Sequence, residues 1–462
     1  MRPVADLSPV AGQSAVVIGG GFGGLSTACY LADAGADVTL LEKNDQLGGR
    51  ASTLEADGFR FDMGPSWYLM PDVFETFFGH FDREPADYYG LTRLDPHYRI
   101  FFKDGDQVDM VPDRAENRAT FEAYEPGAGD AFEAYLEKAK QNYEVGMRHF
   151  VYEDRPRLRD YVDADVLQNA RALSLLGSMQ DHVEEYFDNP KLRQLLQYTL
   201  VFLGGSPHNT PALYNLMSHV DYNMGVFYPE GGMYGLVEGL ADLGEDLGVT
   251  YRTGVEVTDL QETTTGLALQ TTEGRRRADR VVANAPPAHV ERELLSPGKR
   301  DHDLDHWDDQ TYAPSALLWY FGVEGDVGPL EHHSLVFPDD WDPHFASIFE
   351  DPAWPDDPAY YLAVPSLTDD TVAPEDHHTI VVLIPIATAL EDTEARREEY
   401  RDWVLEDLAT NVGIDFRDRV VTEESMCVED FSERLNYPEG TALGLAHTLF
   451  QTGPMRPSHR AR

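Results

Sequence analysis

The sequence has little cysteine, little lysine and no long apolar run, and each scarcity excludes something. Its two cysteines, Cys29 and Cys427, stand far apart among 462 residues and cannot build a multi-bridge framework. The N-terminus has no basic-then-apolar leader pattern, so a reducing, cytoplasmic location is expected. Cys29 sits among small apolar residues just after a glycine cluster and is expected to pack a helix rather than react. The longest apolar stretch, TIVVLIPIATAL at 379–390, falls short of the roughly 20 residues a spanning helix needs, and Pro385 interrupts it. No transmembrane helix is expected. Lysine occurs six times, so nearly all of the 36 positive charges are arginine.

Acid is abundant. Asp and Glu number 82, giving a formal net charge of -46, which would repel a phosphate backbone and argues against nucleic acid as a partner. The acids are spread along the whole chain, not gathered in one tail, a pattern suited to molar salt, where a Debye length of about 3 Å screens self-repulsion. Hydrophobic residues at 42% suffice for a large core, and the length suggests two or three domains. No metal site is expected, because His332-His333 and His377-His378 are adjacent pairs whose side chains diverge in helix or strand.

Near the N-terminus, SAVVI at 14–18 is followed by GGGFGG at 19–24 and by the helical run LSTACYL. This reads as strand, tight turn and helix, with Gly19, Gly21 and Gly24 at G-x-G-x-x-G spacing and Gly23 within the turn. One glycine serves the turn, one the close approach of a pyrophosphate, and one helix-on-strand packing, while the helix N–H groups face the phosphates. A second strand at 38–41 ends in Glu42, which lies 18 residues past Gly24, where an acid reaches ribose hydroxyls. LGGR at 47–50 then places two glycines, including Gly49, before Arg50, a planar donor suited to pyrophosphate.

From Val16 to Arg50 the chain resembles the flavoproteins that include amine oxidases, protoporphyrinogen oxidases and carotenoid desaturases, in which the dinucleotide is FAD. Three further segments narrow the resemblance to the bacterial CrtI-type carotenoid desaturases. They are GFRFDMGPS at 58–66, with Gly64, Pro65 and Ser66, then LGGSPHNT at 203–210, and FYPEGGM at 227–233. The resemblance implies that Val257 meets the adenine through its backbone, and that ANAP at 283–286 corresponds to a strand that usually runs into N-A-D.

The fold expected is α/β: a Rossmann-like FAD-binding domain with a parallel sheet (12–104, 227–299 and 416–462), interrupted by a mixed α+β substrate and membrane-facing domain (105–226 and 300–415). The first insertion reads as mainly helical from 117 to 193, and 249–260 as strand. Phe74, Phe77, Phe78 and Phe81 recur at helical spacing and are expected in the core, as is LLQYTLVF at 195–202.

The implied activity is FAD-dependent dehydrogenation of a C40 polyene such as phytoene. A carotenoid 3,4-desaturase or carotene isomerase, an amine-oxidase-like flavoenzyme and an inactive truncated homologue are the alternatives. A hydride would leave for the flavin and a proton would follow, with quinone or oxygen as electron acceptor and a peripheral contact with the membrane surface. No spacing singles out a catalytic acid or base among so many carboxylates, so none is named. The segments VEDFSERLN at 428–436 and LFQTGPMRPSHR at 449–460 resemble the family almost to its end, where a second glycine-rich segment and a final helix are expected to follow. A truncated chain is the expectation there, with poor uptake of FAD.

Overall fold

The computed structural model describes residues 7–152, 177–200, 204–448 and Gln451. Leu203 of the LGGSPHNT segment, Val201 and Phe202, and nearly all of 449–460 lie outside the described residues.

The β-branched run after the N-terminus forms the strand Ser14–Ile18, and the glycine turn delivers the chain into the helix Phe22–Asp33. A four-stranded parallel sheet surrounds this strand in the order Arg280–Ala283, Ser14–Ile18, Asp37–Leu41, Thr250–Arg252. Alternation along the strand serves both faces. Ala15 and Val17, with Val38 and Leu40, pack against Leu25, Ala28 and Cys29 and against the helix Met233–Asp246 through Leu236, Val237, Leu240 and Leu243. Val16, Ile18 and Leu41 turn the other way, onto Val255, Val257, Leu269 and Leu294. That layer is a three-stranded antiparallel sheet, Val257–Thr263, Gly266–Thr271 and Gly274–Ala278. The stretch 249–260, expected as one strand, is therefore two strands in two sheets, separated by a turn in which Gly254 takes a φ of +69°.

A seven-stranded sheet forms the second layer system, in the order Val420–Met426, Ser315–Glu324, His377–Ile386, Tyr360–Ala363, His333–Phe337, Tyr98–Phe102, Gln107–Met110. All neighbours are antiparallel except His333–Phe337 with Tyr98–Phe102. The long apolar run at 379–390 is accounted for by the strand His377–Ile386, which pairs on both sides in this sheet. One face carries Ile100, Leu318, Tyr320, Phe337, Tyr361 and Met426, covered by the helices Arg114–Tyr124, Ala128–Gly146 and Pro190–Gln197. The opposite face carries Leu317, Phe321, Val336, Leu362 and Ile384, packed against Tyr400, Val404 and Leu405 of the helix Glu394–Asp407. With both faces buried, the inner strands Ser315–Glu324, His377–Ile386 and Tyr360–Ala363 read as largely continuous apolar runs.

Two segments depart from the expected domain limits. Tyr98–Phe102 and Val420–Met426, expected within the cofactor unit, are hydrogen-bonded into the seven-stranded sheet. His333–Phe337, which pairs with Tyr98–Phe102, and Ser315–Glu324, which pairs with Val420–Met426, are remote from them in sequence, and local patterning carries no information about either pairing. The four phenylalanines behave as core: Phe78 and Phe81 are buried, and Phe74 and Phe77 pack against the same cluster. Among the described residues no helix is long and apolar enough to cross a membrane. No group of three or more His, Cys, Asp or Glu among them is placed to hold a metal ion.

A carboxylate joins the two layer systems. Asp62, ending the strand Phe59–Asp62, accepts hydrogen bonds from Met233 N at 2.9 Å and Tyr234 N at 3.3 Å, at a helix start where Gly232 provides no side-chain cap. Asp62→Ala should lower stability by about 1–2 kcal/mol, the cost of a lost N-cap. Denaturant midpoints of variant and wild type in molar salt check this, and an unchanged midpoint would show that the cap contributes nothing.

Candidate functional site

A single cavity of about 970 Å³ runs between the parallel sheet and the seven-stranded sheet. Gly19, Gly21, Gly23, Glu42, Gly49, Arg50, Gly64, Pro65, Ser66 and Val257 all border it, although they come from five separate stretches of chain. Gly24 does not. It lies buried behind the turn, where a Cβ would press into the Gly19 carbonyl, so its smallness serves helix-on-strand packing.

Within the turn, Gly19 adopts a φ of +98° and its N–H reaches Leu41 O at 2.8 Å, which reverses the chain at the end of the strand. A Cβ on Gly23 would come within 2.5 Å of Asn284 Oδ1, and one on Gly20 within 2.7 Å of Leu47, so the turn is closed on its protein side. At Gly21 the nearest atom to a Cβ would be 3.6 Å away, and its φ of -75° is ordinary. No described protein atom demands glycine there, and the position opens on the cavity. The helix that follows has no side-chain cap and no acidic residue in its first turn, so its positive end stays available to an anion.

Glu42 is only 5% exposed. Its Oε2 accepts from Gly20 N at 2.7 Å, and its Oε1 accepts from Asn44 N at 2.9 Å and Asn44 Nδ2 at 2.8 Å, which holds the carboxylate at the cavity rim with acceptor capacity to spare. Beside it, Lys43 Nζ donates to Glu433 O and to Asn436 Oδ1, both at 2.6 Å, tying this loop to the helix Val428–Leu435. Arg50 is exposed, stacks over the Tyr437 ring at 5.3 Å and donates from Nη1 to Leu443 O at 3.1 Å. A Cβ on Gly64 would press into the Arg50 carbonyl, so the LGGR and GPS segments interlock through backbone.

The rest of the lining is mostly apolar. Met63, Trp67, Leu69, Met217, Leu318, Leu383, Met426 and Phe431 border it, with Tyr198, Tyr361 and the carboxylate of Asp221. Trp67 lies flat on His333, with ring centroids 4.3 Å apart and planes 7° from parallel, and Tyr361 Oη pairs with His333 Nδ1 at 2.7 Å. Burial holds His333 well below the usual imidazole range, so this wall is neutral. Sequence reasoning missed Lys43, Asn44, Asn284, Tyr198, Tyr361 and Asp221. Asn284 had a signal, its place at the exit of the strand Arg280–Ala283; the others had none, because their position comes from chain crossings.

The chain matches the family model described as flavin containing amine oxidoreductase over residues 22–461. It is 62% identical over 457 residues to a carotenoid 3,4-desaturase of Haloarcula japonica, covering 98% of this chain and 92% of that one. It is 30% identical over 465 residues to a 4,4'-diapophytoene desaturase (4,4'-diaponeurosporene-forming) of Staphylococcus aureus, covering 96% and 91%. In fold it is similar to an oxidoreductase from Methanosarcina mazei, with a TM-score of 0.58 at 16% identity, covering 94% of this chain and 96% of that one.

Proposed function

The chain belongs to the flavin-containing amine oxidoreductases, in their CrtI-type carotenoid desaturase branch, and from that premise we propose that it introduces a double bond into a C40 carotenoid, at the 3,4 position. FAD is its cofactor. The observation that carries the reading is the continuity of one cavity, from a glycine turn whose Gly21 opens on it to a neutral wall of aromatic and aliphatic side chains. The 3,4 position is supported by 62% identity to a carotenoid 3,4-desaturase, against 30% to a diapophytoene desaturase.

The residues present fit FAD. The turn at Gly19, Gly21 and Gly23 and the helix start behind it would take the pyrophosphate, with Arg50 as a second donor. Glu42 would accept from ribose hydroxyls, and the backbone at Val257 would meet the adenine. Gly64, Pro65 and Ser66 would pass along the cofactor between these groups and the apolar wall. When bound, FAD supplies an acceptor for the hydride removed from carbon. The chain's own residues do the rest: Trp67, Leu383, Met426 and Phe431 align the polyene and keep water from a carbon that carries positive charge as the hydride leaves. Conjugation spreads that charge, so no compact oxyanion-type stabiliser is required.

A hydrocarbon of this length dissolves in lipid, so the proposal includes a peripheral contact with the cytoplasmic face of the membrane. It also includes a quinone or oxygen as final electron acceptor. The test is protein purified in molar salt, loaded with FAD and mixed anaerobically with liposomes carrying either phytoene or a later acyclic carotene. Bleaching of the flavin band by the later carotene, with a product lighter by two hydrogens and red-shifted, is the expected result. A flavin band at one equivalent would also set aside the poor uptake expected from the sequence. Bleaching by an amine but by neither carotene would overturn the reading.

A further inference from the structure

The sequence singles out no acid or base, yet the structure isolates one carboxylate. Asp221 is 3% exposed and borders the cavity beside Tyr198 and Met217. Its Oδ2 accepts from Tyr98 Oη and from Tyr198 Oη, each at 2.8 Å. Its Oδ1 is buried and has no hydrogen-bond partner among the described residues. The fold thus pins one oxygen with two phenols from the seven-stranded sheet and the helical layer, and leaves the other without a proton donor. A buried acceptor in that condition carries a cost of about 1–3 kcal/mol, and this one borders the cavity. The other carboxylates on the lining differ: both oxygens of Glu42 already accept hydrogen bonds, from Gly20 N and from Asn44, and Glu256 lies in the turn before the strand Val257–Thr263, among the residues assigned to the adenine end.

We propose that Asp221 is the catalytic base of this enzyme, receiving the proton that the polyene loses when its double bond forms; the assignment rests on the desaturase reading above. In the balanced step one C–H bond breaks with its electron pair, and the hydride is delivered to FAD. The neighbouring C–H bond breaks the other way, its electron pair becoming the new C=C bond and its proton passing to the Asp221 carboxylate. The substrate loses two hydrogens, the flavin is reduced, and Asp221 returns its proton to water when the product leaves.

The environment supports a group that takes up a proton near neutrality. Burial pushes the Asp221 carboxyl up to about 7, against the two phenol hydrogen bonds that pull it down. The titratable groups facing it are Tyr98, Tyr198 and Tyr222, all held protonated by burial and then by the Asp221 charge itself. Turnover should therefore rise tenfold per pH unit below about 7 and level off above it.

Asp221→Asn keeps the shape and an oxygen for both phenols. Its turnover should fall at least about 100-fold and lose the acid limb of the pH profile, with flavin content and quenching of tryptophan by bound carotene unchanged. Asp221→Glu should recover at least about tenfold over the Asn variant, and it carries the test if the Asn variant folds poorly. Independently of turnover, flavin-free wild type should show an infrared carboxylic C=O band that disappears on raising the pH through about 7 and is absent from Asp221→Asn. An Asn variant within twofold of wild type, one that loses carotene binding along with turnover, or a wild type without the titrating band would each overturn the assignment. Wild type that dehydrogenates no polyene while the infrared band still titrates would instead sink the desaturase reading, and the base with it.

Discussion

Gly24→Ala should cost about 3 kcal/mol or more and strip the protein of FAD, whereas Gly21→Ala should abolish FAD binding and leave the stability of the flavin-free protein unchanged. The two residues stand three apart in one turn, but their neighbours differ. A Cβ at Gly24 would press into the Gly19 carbonyl and sit 3.2 Å from Asn284 Nδ2, so the helix Phe22–Asp33 would have to lift off the strand beneath it. The Gly19 backbone cannot swing aside as a side chain could, which makes relaxation expensive, as overpacking in a close-packed interior generally is. At Gly21 the same methyl group meets no protein atom within 3.5 Å and the backbone is extended, so alanine fits until a pyrophosphate approaches. Flavin absorbance per protein and denaturant midpoints with and without FAD separate the two effects. If Gly21→Ala bound FAD as wild type does, the pyrophosphate would have to lie elsewhere in the cavity.

The second large effect concerns pH. Asp221 is raised from an ordinary 3.8 to about 7 by burial, so the folded protein binds this proton more tightly than the unfolded chain. Stability from this group is therefore fully present below pH 3.8 and is lost as pH rises to about 7, above which the loss is constant. At about 1.4 kcal/mol per pH unit the whole interval amounts to ~4 kcal/mol as an upper value. The stability of Asp221→Asn relative to wild type should climb by up to that amount between pH 4 and pH 8. Denaturant unfolding in molar salt measures it, because salt screens the repulsion of the other acids, which also titrate over the lower part of the interval. Asp62, raised to about 6 by burial, contributes a slope of the same sign, but it is common to both proteins and cancels in the difference. A difference that does not change with pH would mean that Asp221 is not the buried carboxyl described here. The same burial that weakens the fold at neutral pH makes the group a competent base, a trade often found at active sites.

What could be read from residues alone was local. The strand Ser14–Ile18, the glycine turn, the helix Phe22–Asp33 and Glu42 form one unit whose parts are neighbours in sequence, so spacing and residue type announce both the structure and its ligand class. The helix Met233–Asp246 and the buried phenylalanines near Phe78 were legible for the same reason, a period of 3.6 that places them on one face. The pairing of Tyr98–Phe102 and Val420–Met426 into the seven-stranded sheet was not legible, since neither the buried strand Tyr98–Phe102 nor the partly exposed edge strand Val420–Met426 carries a mark of the remote strand it will meet. Nor was Asp221. As one of 82 acidic residues it has no distinguishing sequence context, and its character arises only where Tyr98 from one sheet and Tyr198 from the helical layer close over it. Sequence by itself determined the cofactor class and the strongly acidic balance of the chain, because both follow from short-range pattern and composition. Tertiary structure alone decided which carboxylate is dehydrated, because burial is a property of packed surfaces brought together from distant parts of the chain.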